Sequence, residues 1–273
     1  IRIGGFILKA NANTIADYLH ATLENAQDHI AAPPQLMYMV YHMDEIFLKE
    51  ILAKGLEMPP TAGFLALNSY VMLLAAVRQA LSGHIVPVFP ILRTALESSC
   101  YAYLIATDNS KALIWLNRHK SQSELDKCRK TFTVNKTVNG LKEISSEMAE
   151  YVKAHYDACI DFGAHPNEKS IFNHLTKIDS PNYRFDAWEL TGVYGPNSWY
   201  VNYTLLACVE VGQAIAFLIA ASSENHPLIN ERQAVFQNWM DEKNRMAEEI
   251  NGEPIDYTGP MYSSVMPPTS QDQ

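Results

Sequence analysis

The chain has 273 residues, and its 21 Lys plus Arg against 30 Asp plus Glu give a formal net charge of −9. Apolar residues make up 48% and charged residues 19%, which excludes a disordered chain, and the Gly and Pro follow no period, which excludes collagen-like and linker-like sequences. Nucleic-acid binding draws on counterion release to Lys and Arg, so an acidic chain binds nucleic acid only through a local basic patch and such a partner is unfavoured.

Read in chain order, apolar spacing predicts helix after helix. Ile15, Leu19, Leu23 and Ala26 mark one over 14–30, stopped by Pro33 and Pro34. A second, over 35–54, carries Met39, Met43, Ile46, Phe47 and Ile51 on one side and ends at Gly55. Thr61 is placed to cap a third, over 62–82, that is apolar nearly all round through Phe64, Leu65, Leu67, Val71, Leu73, Leu74 and Val77. Gly83 sits where a left-handed C-terminal cap belongs. Pro87 and Pro90 open a fourth helix that runs to Leu104.

Shorter helices are expected over 110–120 and 122–132, with the β-branched and polar stretch 133–139 read as loop. An amphipathic helix over 140–162 carries Ile144, Met148, Val152, His155 and Cys159 and stops at Gly163. One or two further turns of helix are expected over 168–176. Residues 180–197 are rich in Pro, Asn, Gly and aromatics, including Tyr183, Phe185, Trp188 and Tyr194. A loop of that length reads as a lid, an oligomer contact, a small hairpin or a cover over the core. A second all-round apolar helix follows over 198–222, then a charged amphipathic one over 228–250. The sum is an all-α multi-helix bundle of about eight or nine helices with two central buried helices. It forms a single helical domain over 1–250, with a polar C-terminal tail over 251–273.

The longest apolar runs are read as core rather than membrane spans. The first falls short of the roughly 20 residues a bilayer needs, and Glu210 and Gln213 interrupt the second. Cys100, Cys128, Cys159 and Cys208 form no C-x-x-C pair, and no signal-peptide pattern opens the sequence. Reduced, buried thiols in a soluble cytoplasmic protein are therefore expected, with no membrane partner.

Chemistry is sought in polar residues planted on buried-looking helices. Arg93 and Glu97 lie one turn apart, on one face. Glu210 stands mid-helix among Leu206, Ala207, Ala214 and Phe217. A buried charge without a partner is costly, so each needs one. One reading joins Arg93, Glu97 and Glu210 in a structural ion-pair network. Another builds from these three and His165 an interior pocket for a small anionic ligand, with Arg93 gripping a carboxylate or phosphate bidentately. His165, between Gly163 and Pro166, has the residue type for general acid–base work, and the bland alternative is a helix-end structural role. His155 and Cys159 have a spacing that suits metal ligation, yet no second ligand pair accompanies them. They are read as core-facing, with Asp157 towards solvent and no metal or cofactor expected. The basic residues from Arg118 to Lys136 are interrupted by Glu124 and Asp126 and read as a solvated helix face.

At Pro90-Ile-Leu-Arg93-Thr-Ala-Leu-Glu97, followed by Tyr101-Ala-Tyr103-Leu104, the sequence resembles a group of uncharacterised bacterial all-helical proteins. These carry an Arg-x-x-x-Glu helix and a later His in a Gly/His-Pro turn, here Gly163-Ala-His165-Pro166. The group is suspected to be distantly related to the HEPN superfamily of helical bundles. Many members of that superfamily are metal-independent ribonucleases of toxin and phage-defence systems, and many form dimers. Their signature, an Arg followed after four to six residues by a His, is matched by Arg78-Gln-Ala-Leu-Ser-Gly-His84. The resemblance thus implies Arg78 and His84 as catalytic residues and a homodimer. Three functions stay open: a helical interaction or regulatory protein, a bacterial or phage-defence component among the candidates; an HEPN-like ribonuclease; and a small-molecule binder or enzyme with an interior polar pocket.

Overall fold

Local chemistry sets the helix boundaries in the computed structural model, which describes residues 2–3, 6–10, 14–166, 168–178, 187–196, 198–255 and 259–264. Thr14 starts α1 (Ile15–Ala31) with a capping box: its hydroxyl accepts from the Asp17 amide at 3.1 Å, and its own amide donates to Asp17 Oδ2 at 3.0 Å. α2 (Met37–Ile46) runs on through a π-helical turn, Phe47–Ile51, and a short 3-10 turn, Leu52–Lys54. α3 (Pro60–Leu81) begins on Pro60 itself, so Thr61 lies inside the first turn and is not the cap. Proline lacks an N–H that a helix start leaves unpaired anyway. At the far end Gly83, with φ of +82°, closes a Schellman motif: the His84 amide donates to the Gln79 carbonyl, and the Gly83 amide to that of Ala80.

α4 (Val88–Thr107), α5 (Ser110–Leu116), α6 (Gln122–Thr131), α7 (Val134–Leu141) and α8 (Ser146–Cys159) follow. α7 stands where a loop is expected. Thr133 caps it, and Val134, Val138 and Leu141 share a face buried against α8 and α4, so burial overrides the weak helix propensity of β-branched residues. α8 continues into a π-helical turn, Ile160–Ala164, before α9 (Glu168–Phe172). α10 (Trp199–Ser222), α11 (Pro227–Asn230), α12 (Gln233–Asn251) and α13 (Met261–Ser264) complete the helices. Strands β1 (Arg2–Ile3), β2 (Phe6–Ala10), β3 (Leu175–Ile178) and β4 (Ala187–Leu190) form one small sheet in the order β1-β2-β4-β3, with β2 parallel to β4. Part of the expected loop over 180–197 is thus a strand, as is the end of the helix expected over 168–176. Tyr183 and Phe185 lie outside the described residues.

The architecture is an all-α multi-helix bundle with that sheet added. α10 is its axis: every residue from Tyr203 to Ala220 is buried, and α2, α3, α4 and α8 pack around it. Leu73, Phe89, Leu96, Val152, Val209, Ile215 and Trp239 belong to one continuous core. Both α3 and α10 are long and apolar enough to cross a membrane, but α10 is enclosed by protein. α3 is enclosed on one side only. Leu65, Leu73 and Val77 face the core, whereas Phe64, Leu67, Val71 and Leu74 are exposed. Apolar residues all round α3 suggest burial all round, but the core reaches just one of its faces. The tail differs from expectation as well: Ile255, Met261 and Tyr262 are buried, so the packed unit extends past residue 250.

Candidate functional site

The best-formed polar cluster gathers three separate elements around Arg93. From α4, Arg93 Nε donates to Glu97 Oε1 at 3.0 Å. Nη2 donates to the Tyr156 hydroxyl of α8 at 3.1 Å, and the guanidinium carbon lies 5.3 Å from the centroid of that ring. Nη1 donates at 2.9 Å to Nε2 of His165, from just beyond the π-helical turn. Arginine cannot accept, so the imidazole accepts through Nε2 and carries its proton on Nδ1.

Local structure explains how His165 arrives there. The π-helical turn after Cys159 swings the chain away from the axis of α8. Gly163 then passes close to the entry of α4: a Cβ there would sit 2.6 Å from the Val86 carbonyl oxygen. Pro166 disfavours helical backbone in the residue before it, and His165 is extended at φ −131°, ψ 147°. The Ser170 hydroxyl donates to the His165 carbonyl at 3.4 Å.

The cluster is half-buried and opens to solvent: the Arg93 and Glu97 side chains are 24% and 29% exposed, and His165 is exposed. Burial disfavours the Arg93 charge, but the Glu97 carboxylate and the Tyr156 hydroxyl outweigh it and raise its pKa further. Burial, then Glu97, raises the pKa of the Tyr156 phenol, with Arg93 opposing. At neutral pH the site therefore holds a fixed cation and a neutral phenol hydroxyl, with His165 Nε2 against the guanidinium.

Glu210 does not join this cluster. It is fully buried on α10, where Oε1 accepts from Lys243 Nζ at 2.9 Å. Backbone amides of Met261 at 3.2 Å and Tyr262 at 3.4 Å also donate to its carboxylate. The expected single pocket of Arg93, Glu97, His165 and Glu210 is thus two places, an open cluster and a buried ion pair, because Glu210 faces α12 and α13. The ion pair borders a cleft of about 530 Å³ between α8, α12 and the segment before α13. Spacing offers a sign of Lys243: it shares the inward side of α12 with Trp239 and Ala247, four residues either way, where an apolar residue belongs. Nothing in the sequence marks Tyr156 as part of a site.

The Arg78–His84 pair implied by the resemblance is split. Arg78 is exposed and its Nη1 donates to Ser82 Oγ at 2.5 Å. His84 is buried, with Nδ1 3.0 Å from Gln79 Oε1 and its ring 5.0 Å from that of Tyr18. Among the described residues no hydrogen bond joins Arg78 to His84, because the Gly83 turn folds the histidine back against the helix.

His155 and Cys159 face the core and Asp157 is exposed and paired with Lys153. Among the described residues no three His, Cys, Asp or Glu side chains converge on a point that suits a metal ion. All four cysteines are free and buried. Burial pushes the Cys100 and Cys159 thiols up to about 12, which leaves them as poor nucleophiles. Lys127, Arg129 and Lys130 of the basic stretch are exposed on α6. Compared with known families, curated proteins and solved structures, the chain matches none of them.

Proposed function

We propose that the protein binds a small anionic ligand, a phosphate ester or a carboxylate, at Arg93, Tyr156 and His165. One observation carries this reading. His165, 72 residues away in the chain, meets the outer edge of a guanidinium that Glu97 and Tyr156 already hold in place. Three of the five guanidinium N–H donors are used, which leaves one on each terminal nitrogen to donate to the oxygens of a carboxylate or phosphate. The structural reading of the polar residues suits Glu210, which is buried and paired with Lys243, better than it suits Arg93, which opens to solvent.

The test is thermal stability with inorganic phosphate, mononucleotides and small carboxylic acids. Stabilisation by at least one of them is expected for the wild type and is lost in Arg93→Ala. At a hundredfold excess over Kd the gain is about 2.7 kcal/mol. No stabilisation by any of them, or an equal gain in Arg93→Ala, overturns the reading.

A second reading is favoured by the same 2.9 Å contact. An arginine and a histidine brought together can cleave RNA without metal: the imidazole takes the proton of the ribose 2′-hydroxyl, that oxygen bonds to phosphorus as the P–O bond to the 5′-oxygen breaks, the leaving oxygen takes a proton from water, and the arginine steadies the phosphate charge. RNA cleavage abolished in His165→Ala and retained in His84→Ala supports it. The reverse pattern returns the activity to the Arg78–His84 pair, and no cleavage by the wild type removes the ribonuclease reading.

A further inference from the structure

α8 and α12 both lie on α10 and leave a groove between them whose two ends differ in chemistry. One end is a cavity of about 310 Å³ walled by Met148 of α8, Phe217 of α10, Leu228 of α11, and Phe236 and Met240 of α12. The other is the cleft of about 530 Å³ that borders the Glu210–Lys243 pair, with Glu150, Tyr151 and Asn244 also in its wall. Glu147 and Met240 line both, so the two adjoin. Each has the size of a small-molecule site, roughly 300–1,000 Å³. The helices change character in step. Phe236 and Lys243 on α12, like Phe217 and Glu210 on α10, are about 10 Å apart along the helix axis, an apolar residue at one end and a charged one at the other. On α8, Met148 gives way to Tyr151.

Among the described residues, the polar end carries one cation, Lys243, and it is committed: Nζ lies 2.9 Å from Glu210 Oε1 and 3.1 Å from Met261 Sδ. Acceptors stand around it. Glu147 and Glu150 are exposed and have no ion-pair partner among the described residues. The Tyr151 hydroxyl donates its hydrogen to Gln213 Oε1 at 3.0 Å, which leaves its oxygen to accept. Asn244 Oδ1 is buried with no hydrogen-bond partner among the described residues. With Glu210 balanced by Lys243, the carboxylates of Glu147 and Glu150 stay unmatched.

We propose that this groove binds a primary amine with an alkyl or arylalkyl tail, its ammonium held at Glu147 and Glu150 and its tail laid against Met148, Phe217 and Phe236. An ammonium is positive and only donates hydrogen bonds, which is what a set of carboxylates and neutral acceptors takes up. A carboxylate or phosphate at the same place meets like charge, and an alcohol leaves the two carboxylates unmatched. The tail follows from the other end, where burial of each CH₂ is favourable. The groove shares no residue with the Arg93 cluster and prefers the opposite charge.

The test is isothermal titration calorimetry of the full chain at neutral pH with butylamine, hexylamine and octylamine, below the concentration at which any of them forms micelles, and with octanoate as the probe of opposite charge. Octylamine should bind, affinity should rise about fourfold for each CH₂ added to the tail, and octanoate should not bind. Glu147→Gln combined with Glu150→Gln, both at exposed positions, should weaken octylamine about fivefold or more while melting stays unchanged. Glu143→Gln, at an exposed carboxylate outside the groove, should bind octylamine as the wild type does. No binding of octylamine, octanoate binding as tightly as octylamine, an affinity independent of tail length, or a double Gln variant that binds as the wild type does overturns the proposal.

Discussion

His155 shows what this interior does to a titratable side chain. It is fully buried, with Nδ1 3.2 Å from the Tyr262 hydroxyl and the Tyr151 ring edge-on at 4.2 Å. Burial pulls its pKa down from 6.5 to about 4, with Glu210 opposing and Lys243 adding to the fall. The unfolded chain therefore binds this proton near pH 6.5 and the folded chain only near 4. Between those values the unfolded state holds more protons, so stability falls as pH falls. The full loss is about 3 kcal/mol, reached below pH 4. Urea midpoints from pH 7 to pH 4 check this: His155→Phe keeps a ring in place without the titration and should flatten the slope. Burial also lowers the pKa of His84, His174 and His226, so part of the slope persists in the variant. A slope identical to the wild type would refute the assignment to His155. At this scale the sequence is legible where a residue restricts the backbone of its neighbour, as Pro166 does for His165, and where a charge interrupts an apolar helix, as Glu210 does. It is silent on Tyr156, whose role depends on where α8 lies relative to α4.

Elements are legible where one physical signal dominates. Apolar periodicity and proline locate α1, α3, α4 and α10 to within a few residues, whereas α8 starts at Ser146 and not at 140, because Gly140 and Leu141 end α7. α7 is missed because β-branched residues argue against helix until the face formed by Val134, Val138 and Leu141 is buried. The strands are missed because each is short and β2 pairs with β4 across most of the chain. The turn after α8 lies between these cases: Gly163 marks a stop, but the π-helical geometry answers to the approach of α4. That approach is testable. A methyl group at Gly163 would press on the Val86 carbonyl at 2.6 Å, and backbone cannot step aside as a flexible side chain can. Gly163→Ala should cost about 1–3 kcal/mol and carry His165 away from Arg93, so any ligand-induced stabilisation should shrink with it. Gly195→Ala, where a Cβ meets nothing within 4 Å, is the control and should melt as the wild type does.

Over the whole molecule, the buried pair of Glu210 and Lys243 ties the end of the chain to its axis. Lys243 Nζ lies 2.9 Å from Glu210 Oε1 and 3.1 Å from Met261 Sδ, and the same carboxylate takes the backbone amides of Met261 and Tyr262. α10, α12 and α13 therefore meet on one charge, which is why a segment polar by composition returns to the core. Removing one member of such a pair leaves a buried charge alone, so Lys243→Met should cost about 3–5 kcal/mol. Adding Glu210→Gln removes the stranded charge while its amide oxygen can still accept an N–H, and this double variant should regain most of the loss. Glu210→Leu with Lys243→Met also removes both charges, but it strands the two backbone amides at about 1–3 kcal/mol each. Chemical denaturation of the three variants separates the contributions. If charge alone holds the C-terminal segment, the two double variants have equal stability. If the carboxylate acts as the acceptor that docks α13, the Gln double variant is the more stable, and near-ultraviolet circular dichroism from buried Tyr262 is retained in it and lost in the Leu variant.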